Sequence, residues 1–189
     1  MSDKKTDKRI LHSKKFIKDA LIDLMRTKTI DRISILELCK AADVNRNTFY
    51  AHYSTPEDVL DEIEQELVEE FQKVMNSSEE HRHKDESNDP LYFLKKNKDV
   101  HGVLIRNRSS KLKDLLYRIR LDYYKSYYQN LNFKSPFLAE QVYLYTSAGA
   151  TQICEEWVNN GCQESISEIE AILNHLRQAC VDAFKDSVN

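Results

Sequence analysis

Arg46, Asn47, Thr48, Tyr50 and His52 fall within seven residues, and together they offer donors and acceptors that suit phosphate oxygens and base edges. An arginine can fork onto guanine, an asparagine onto adenine, and hydroxyls onto phosphate. Patterns for covalent or metal chemistry are missing from the sequence. There is no G-x-S-x-G, no Gly-rich phosphate loop, no H-E-x-x-H and no acid/base pair on one helix face, which argues against an enzyme. Cys39, Cys154, Cys162 and Cys180 are scattered without a C-x-x-C pair, and His81 and His83 stand in a polar stretch without further ligands. Neither a metal site nor a cofactor is expected. The thiols read as reduced, in a cytoplasmic protein.

The elements around these residues must be helices. Three glycines and three prolines in 189 residues, with 31% charged residues, predict long helices and short connections. Ile10, Leu11, Phe16, Ile17, Ala20, Leu21, Leu24 and Met25 recur at three- and four-residue steps, giving a helix from about Lys8 to Arg26. Ser34-Ile35-Leu36-Glu37 has capping-box form and opens a short helix to Ala42. Asn45 is an N-cap for a second short helix that ends near Tyr53. Thr55-Pro56-Glu57-Asp58 starts a longer one through Val74. Two short helices joined by a tight turn have the dimensions of a helix-turn-helix, whose second helix enters the major groove. Val44, Phe49 and Tyr53 form the side of that second helix expected to be buried, leaving the polar set outside.

Charge distribution agrees with a polyanion partner at one end. The chain's net charge is −3, yet residues 1–55 hold 12 Lys/Arg against 7 Asp/Glu while the remainder is acidic. Phosphate neutralisation supplies much of the affinity of a nucleic-acid reader. No apolar run approaches a membrane span and no signal-peptide core follows Met1, so a membrane role is not expected.

The run from Ser34 to Tyr53, and above all Thr48-Phe49-Tyr50-Ala51-His52-Tyr53, closely resembles the DNA-binding signature of the tetracycline-repressor (TetR) family. The resemblance extends over about Lys8 to Leu67. Beyond that it is looser, although Glu155-Glu156-Trp157-Val158-Asn159-Asn160-Gly161 looks like the end of a long dimerisation helix in one branch of the family. The resemblance implies that Ser34 caps its helix and touches a phosphate. It implies that Asn45 caps the recognition helix at the DNA surface, that Arg46, Asn47 and Thr48 approach bases, and that Tyr50 and His52 hold the backbone. Three positions depart from the pattern. Asp43 stands where a turn glycine is usual, Asn47 replaces a frequent glycine, and Pro56 occupies the place of a phosphate-touching lysine. A basic arm of Lys4, Lys5, Lys8 and Arg9 is a candidate replacement for that last contact.

The expected fold class is therefore all-α: an N-terminal three-helix helix-turn-helix domain (1–55), a connecting helix at about 56–75, and a C-terminal helical-bundle dimerisation and effector domain (76–189). Helices are expected from Asp89-Pro90, from Asp99 to about Asn107, from Ser110 to about Asn130, over about 137–160 and over 166–186. By the family resemblance, the last two pair with their symmetry mates in a four-helix bundle. Gly149, Ile153, Trp157, Ile169, Leu173 and Leu176 are the expected interface residues. Two reading heads on half-sites about 34–36 Å apart require a homodimer on a palindromic double-stranded operator. Eight of the ten tyrosines lie beyond residue 90, and Tyr117, Arg120 and Tyr143 are the candidate pocket for a small-molecule effector. The leading functional expectation is a repressor released by that effector. An activator of the same type, or a helical adaptor that binds protein rather than DNA, are the alternatives, and the salt dependence of duplex binding separates the adaptor from the regulators.

Overall fold

Ser34, Asn45, Asp89 and Ser135 each place a side-chain oxygen on an amide of the following turn, so helices start where the sequence supplies a cap. The computed structural model describes residues 3–76, 89–107, 128, 131 and 133–184, with 3–10 and 106 by backbone alone. Its helices are α1 (Asp3–Met25), α2 (Ile35–Ala41), α3 (Arg46–Tyr50), α4 (Pro56–Asn76), α5 (Pro90–Lys96), α6 (Lys98–Arg106), α7 (Pro136–Asn159) and α8 (Ile166–Phe184). Ile30–Arg32 forms a 3-10 turn between α1 and α2. The all-α expectation holds. The polar stretch around residues 77–88 and most of the helix expected from Ser110 lie outside the described residues, as do His81, His83, Tyr117 and Arg120.

Helix boundaries follow the caps closely, with one exception. Thr55 Oγ1 accepts the Asp58 amide at 3.2 Å, while Asp58 accepts the Ser54 and Thr55 amides at 2.7 and 3.0 Å, closing the predicted start of α4. Those backbone donors hold the Asp58 carboxyl below its ordinary range. Ser165 and Glu168 repeat the device at α8. The exception is α1, which begins at Asp3 rather than near Lys8. The backbone of Lys4, Lys5, Lys8 and Arg9 is helical, so these residues extend α1 instead of forming a separate arm.

Contacts divide the chain into two units, one of Met1–Glu69 with Arg106–Arg108, the other of Glu70–Ile105 with Ser109–Asn189. The boundary falls within α4, the expected connecting helix. In the first unit α2 packs on α1 and α3, and Ile17, Leu21, Leu38, Phe49 and Val59 are fully buried. In the second, α7 packs on α8 and α5. One cluster joins Leu91, Trp157, Val158, Cys162 and Ile169; another joins Tyr128, Val142, Tyr143 and Val181. Gly161 ends α7 in the left-handed region at φ 79°, where glycine has no Cβ penalty. The Cys162 amide then returns to Trp157 O at 2.8 Å, and Trp157 Nε1 donates to Glu164 O at 3.1 Å, fixing the α7–α8 corner.

His101 is a buried titratable group of the second unit. It is 2% exposed and packs edge-on to Phe93 at 5.4 Å. Burial pushes its pKa from 6.5 down to about 4, outweighing the opposing pull of Glu70. An unfolded chain therefore takes up this proton near pH 6.5 and the folded chain only near pH 4. The stability His101 contributes by staying neutral is present above that window and lost as pH falls through it, by up to about 3 kcal/mol. Urea titrations of wild type and His101→Leu between pH 7 and pH 4 should show a shallower acid-side decline in the variant, whatever its baseline. Parallel profiles would contradict the assignment.

Candidate nucleic-acid interface

Five residues are too few for a free-standing helix, so α3 exists because its surroundings hold it. At its start Asn45 Oδ1 accepts the Thr48 amide at 2.8 Å and the Thr48 hydroxyl at 3.1 Å. Along its inner side Phe49 is fully buried, and its ring meets that of Tyr53 at 5.9 Å. Ahead of it, Asp43 adopts φ 52°, the left-handed conformation the turn requires. Asp tolerates this region better than most residues. The turn is a Schellman-type closure: the Val44 amide returns to Cys39 O at 3.0 Å and the Asp43 amide to Lys40 O at 3.4 Å. Aspartate thus does the work of the glycine expected there.

This scaffold leaves Arg46, Asn47 and Tyr50 exposed on one short rod, with Thr48 and His52 half-buried beside them. Among the described residues the side chains of Arg46 and Asn47 make no hydrogen bond or ion pair, so their donors are available to a partner. Tyr50 is 57% exposed with its ring edge-on to Phe49 at 5.8 Å. Ser34 is exposed at the start of α2, where its Oγ accepts the Glu37 amide at 3.2 Å. Glu37 does not complete the box; its carboxylate pairs with Lys28 instead. The Arg46 guanidinium also lies near Cys39 across the turn, where burial raises the thiol pKa and the nearby positive charge works against that rise.

The predicted residues thus separate by what they are free to do. Asn45 and Thr48 are engaged with each other, whereas Arg46 and Asn47 are exposed. Tyr143, expected to line a pocket, is buried in the second unit and packs edge-on to Tyr128 at 5.5 Å. Among the expected interface residues, Gly149 and Leu176 are exposed and Ile153 and Leu173 half-buried. Trp157 and Ile169 are only 3% and 5% exposed and pack with Leu91, Val158 and Cys162 in the core of their own unit. Exposed apolar surface lies next to Gly149 and Leu176, on Leu144, Tyr145 and Ile172. One helix can carry two apolar stripes, one for its own core and one beside it, so periodicity alone does not mark these three as exposed.

Among the described residues no group of His, Cys, Asp and Glu could hold a metal ion, and no helix is long and apolar enough to cross a membrane. No protein-family model and no curated relative matches the chain. Solved structures do. A TetR transcriptional regulator from Streptococcus agalactiae 2603V is similar over 93% of this chain and 99% of its own, with 18% identity and a TM-score of 0.63. The dihydroxyacetone kinase operon activator DhaS is similar over 92% of this chain and 98% of its own, at 18% identity and a TM-score of 0.59. In both, the likeness runs over nearly the whole of each chain, so the fold of this chain is the all-α fold of these two structures.

Proposed function

We propose that the chain is a homodimeric, sequence-specific DNA-binding regulator of the TetR type, a repressor that a small-molecule effector releases from a palindromic operator. The observation that carries this reading is the exposed set Arg46, Asn47 and Tyr50 on a rod whose opposite side, Phe49, is fully buried. Such a rod is dimensioned for the major groove, with an arginine and an asparagine free to make forked contacts to bases. Ser34 and His52 flank it as phosphate contacts. Binding rather than catalysis is the role of these residues, and the cytoplasm is where the protein would meet its operator. A second copy is the partner of the exposed stripe on α7 and α8. An effector would act in the second unit, with Tyr143, Tyr117 and Arg120 as its candidate contacts, through different affinity for two head spacings. The activator reading has one specific support, the similarity to a structure named as an operon activator.

Selection of bound sequences from random duplex at several salt concentrations tests the proposal. Enrichment of an inverted repeat, with affinity falling steeply as salt rises, is the expected result. Absence of enrichment at any salt would favour the protein-binding adaptor. Repeating the selection with Asn47→Ala should relax preference at discrete positions by about 1–3 kcal/mol while leaving others intact. An unchanged motif would remove Asn47 from the reading set.

A further inference from the structure

Lys14 and Lys18 stand four residues apart on α1, and Glu62 and Glu66 four apart on α4. The two pairs interlock. Lys14 Nζ lies 2.7 Å from Glu62 Oε2, and Lys18 Nζ lies 2.8 Å from Glu62 Oε1 and 2.6 Å from Glu66 Oε1. The Lys14 ammonium is also 5.3 Å from the centre of the Tyr53 ring. Tyr53 is buried beside Glu62; burial and then the Glu62 carboxylate keep its phenol protonated well above the usual range. Tyr53 in turn is packed against Phe49, the buried anchor of α3. One carboxylate therefore sits between α1 and α4, beside the segment that follows α3, with a lysine on each of its oxygens.

Isolated exposed ion pairs contribute little, because ordering two long side chains offsets a screened attraction. This group differs in two ways. The side chains of Lys18 and Glu62 are only 16% and 29% exposed, and each lysine that Glu62 orders is shared with a further contact. Burial disfavours the Glu62 charge, yet hydrogen bonds from Lys14 and Lys18 outweigh it and hold the group ionised down to about pH 2. The network is thus intact throughout the range in which a protein meets DNA.

We propose that Glu62 is a positioning residue for DNA reading: by bridging Lys14 and Lys18 beside Tyr53, it locks the recognition helix α3 against α1 and α4. The inference rests on the DNA-binding reading above. It requires no contact between Glu62 and DNA. Removing the charge should loosen the seat of α3 without unfolding the unit, so the base-reading side chains sample the wrong register.

The test compares wild type, Glu62→Gln, Tyr53→Phe and Glu66→Gln on the duplex selected by wild type, at a temperature where each is fully folded by circular dichroism. Backbone amide exchange over Arg46–Ala51 is measured in parallel, because a role in bulk stability alone would not change it locally. Glu62→Gln should bind about tenfold more weakly and exchange faster in that segment. Tyr53→Phe should show the same signature to a smaller degree, and Glu66→Gln should bind within about twofold of wild type. Unchanged binding by Glu62→Gln, a loss that only follows its unfolded fraction, or an equal loss from Glu66→Gln would each overturn the proposal. Should wild type select no duplex, the DNA-binding reading itself fails, and unchanged exchange over Arg46–Ala51 in Glu62→Gln would still refute the positional coupling.

Discussion

Trp157→Asp is expected to unfold the second unit rather than merely separate two subunits. Trp157 is 3% exposed, packs with Leu91, Val158, Cys162 and Ile169, and donates its indole N–H to Glu164 O at 3.1 Å. Deleting a buried tryptophan side chain costs about 3–5 kcal/mol through lost burial and the cavity left behind. A carboxylate in the same place adds a desolvation cost or must be protonated, so the total exceeds about 4 kcal/mol, a large share of a domain's stability. Thermal melting by circular dichroism should show the loss of cooperative unfolding in this unit, with exposed apolar surface at room temperature. Trp157→Phe separates the two contributions. It keeps an aromatic ring, loses the bond to Glu164, and should cost about 1–2 kcal/mol. A Trp157→Asp protein that melts as wild type but sediments as a monomer would place this side chain at an interface instead.

That contrast marks how far the sequence could be read. Caps are local, so Ser34, Asn45, Thr55 and Ser165 announced their helices, and the left-handed turn at Asp43 was foreseeable from its position between two short helices. The exposed side of α3 was equally legible, because burial of Phe49 and Tyr53 leaves Arg46, Asn47 and Tyr50 outside. Three things were hidden. The first turns of α1 carry no apolar period, so Lys4 to Arg9 read as an arm although lysine and arginine are good helix formers. Apolar periodicity marks a covered face without saying what covers it, and Trp157 and Ile169 are covered within their own unit. The Glu62 network joins residues 48 apart. Its only trace in the sequence is a pair of lysines and a pair of glutamates at matching four-residue spacing, a pattern solvated helix faces also show.

Gly149→Arg is expected to separate the dimer and, with it, nearly all operator affinity, while leaving the protomer folded. Gly149 is exposed on α7, and a Cβ built there would meet nothing within 4 Å, so the protomer itself does not need a glycine at this position. Within a helix, glycine is about 1 kcal/mol less favourable than alanine, so the isolated protomer should gain stability from a side chain there. A close-packed partner helix would explain why the position carries none. The neighbouring exposed surface is apolar: Leu144 and Tyr145 on α7, Ile172 and Leu176 on α8 are 37%, 74%, 46% and 53% exposed. A long charged side chain at Gly149 would both obstruct that approach and bury an unpaired cation. Two linked heads bind an operator more tightly than one by a factor of about 10²–10⁴, so loss of the dimer should weaken binding by that order. Sedimentation should give a monomer mass, melting should be at or above that of the wild-type protomer, and half-site binding should survive at low salt. A Gly149→Arg protein that stays dimeric and binds its operator as wild type does would move the interface off this stripe, and Leu176→Glu would then be expected to do nothing either.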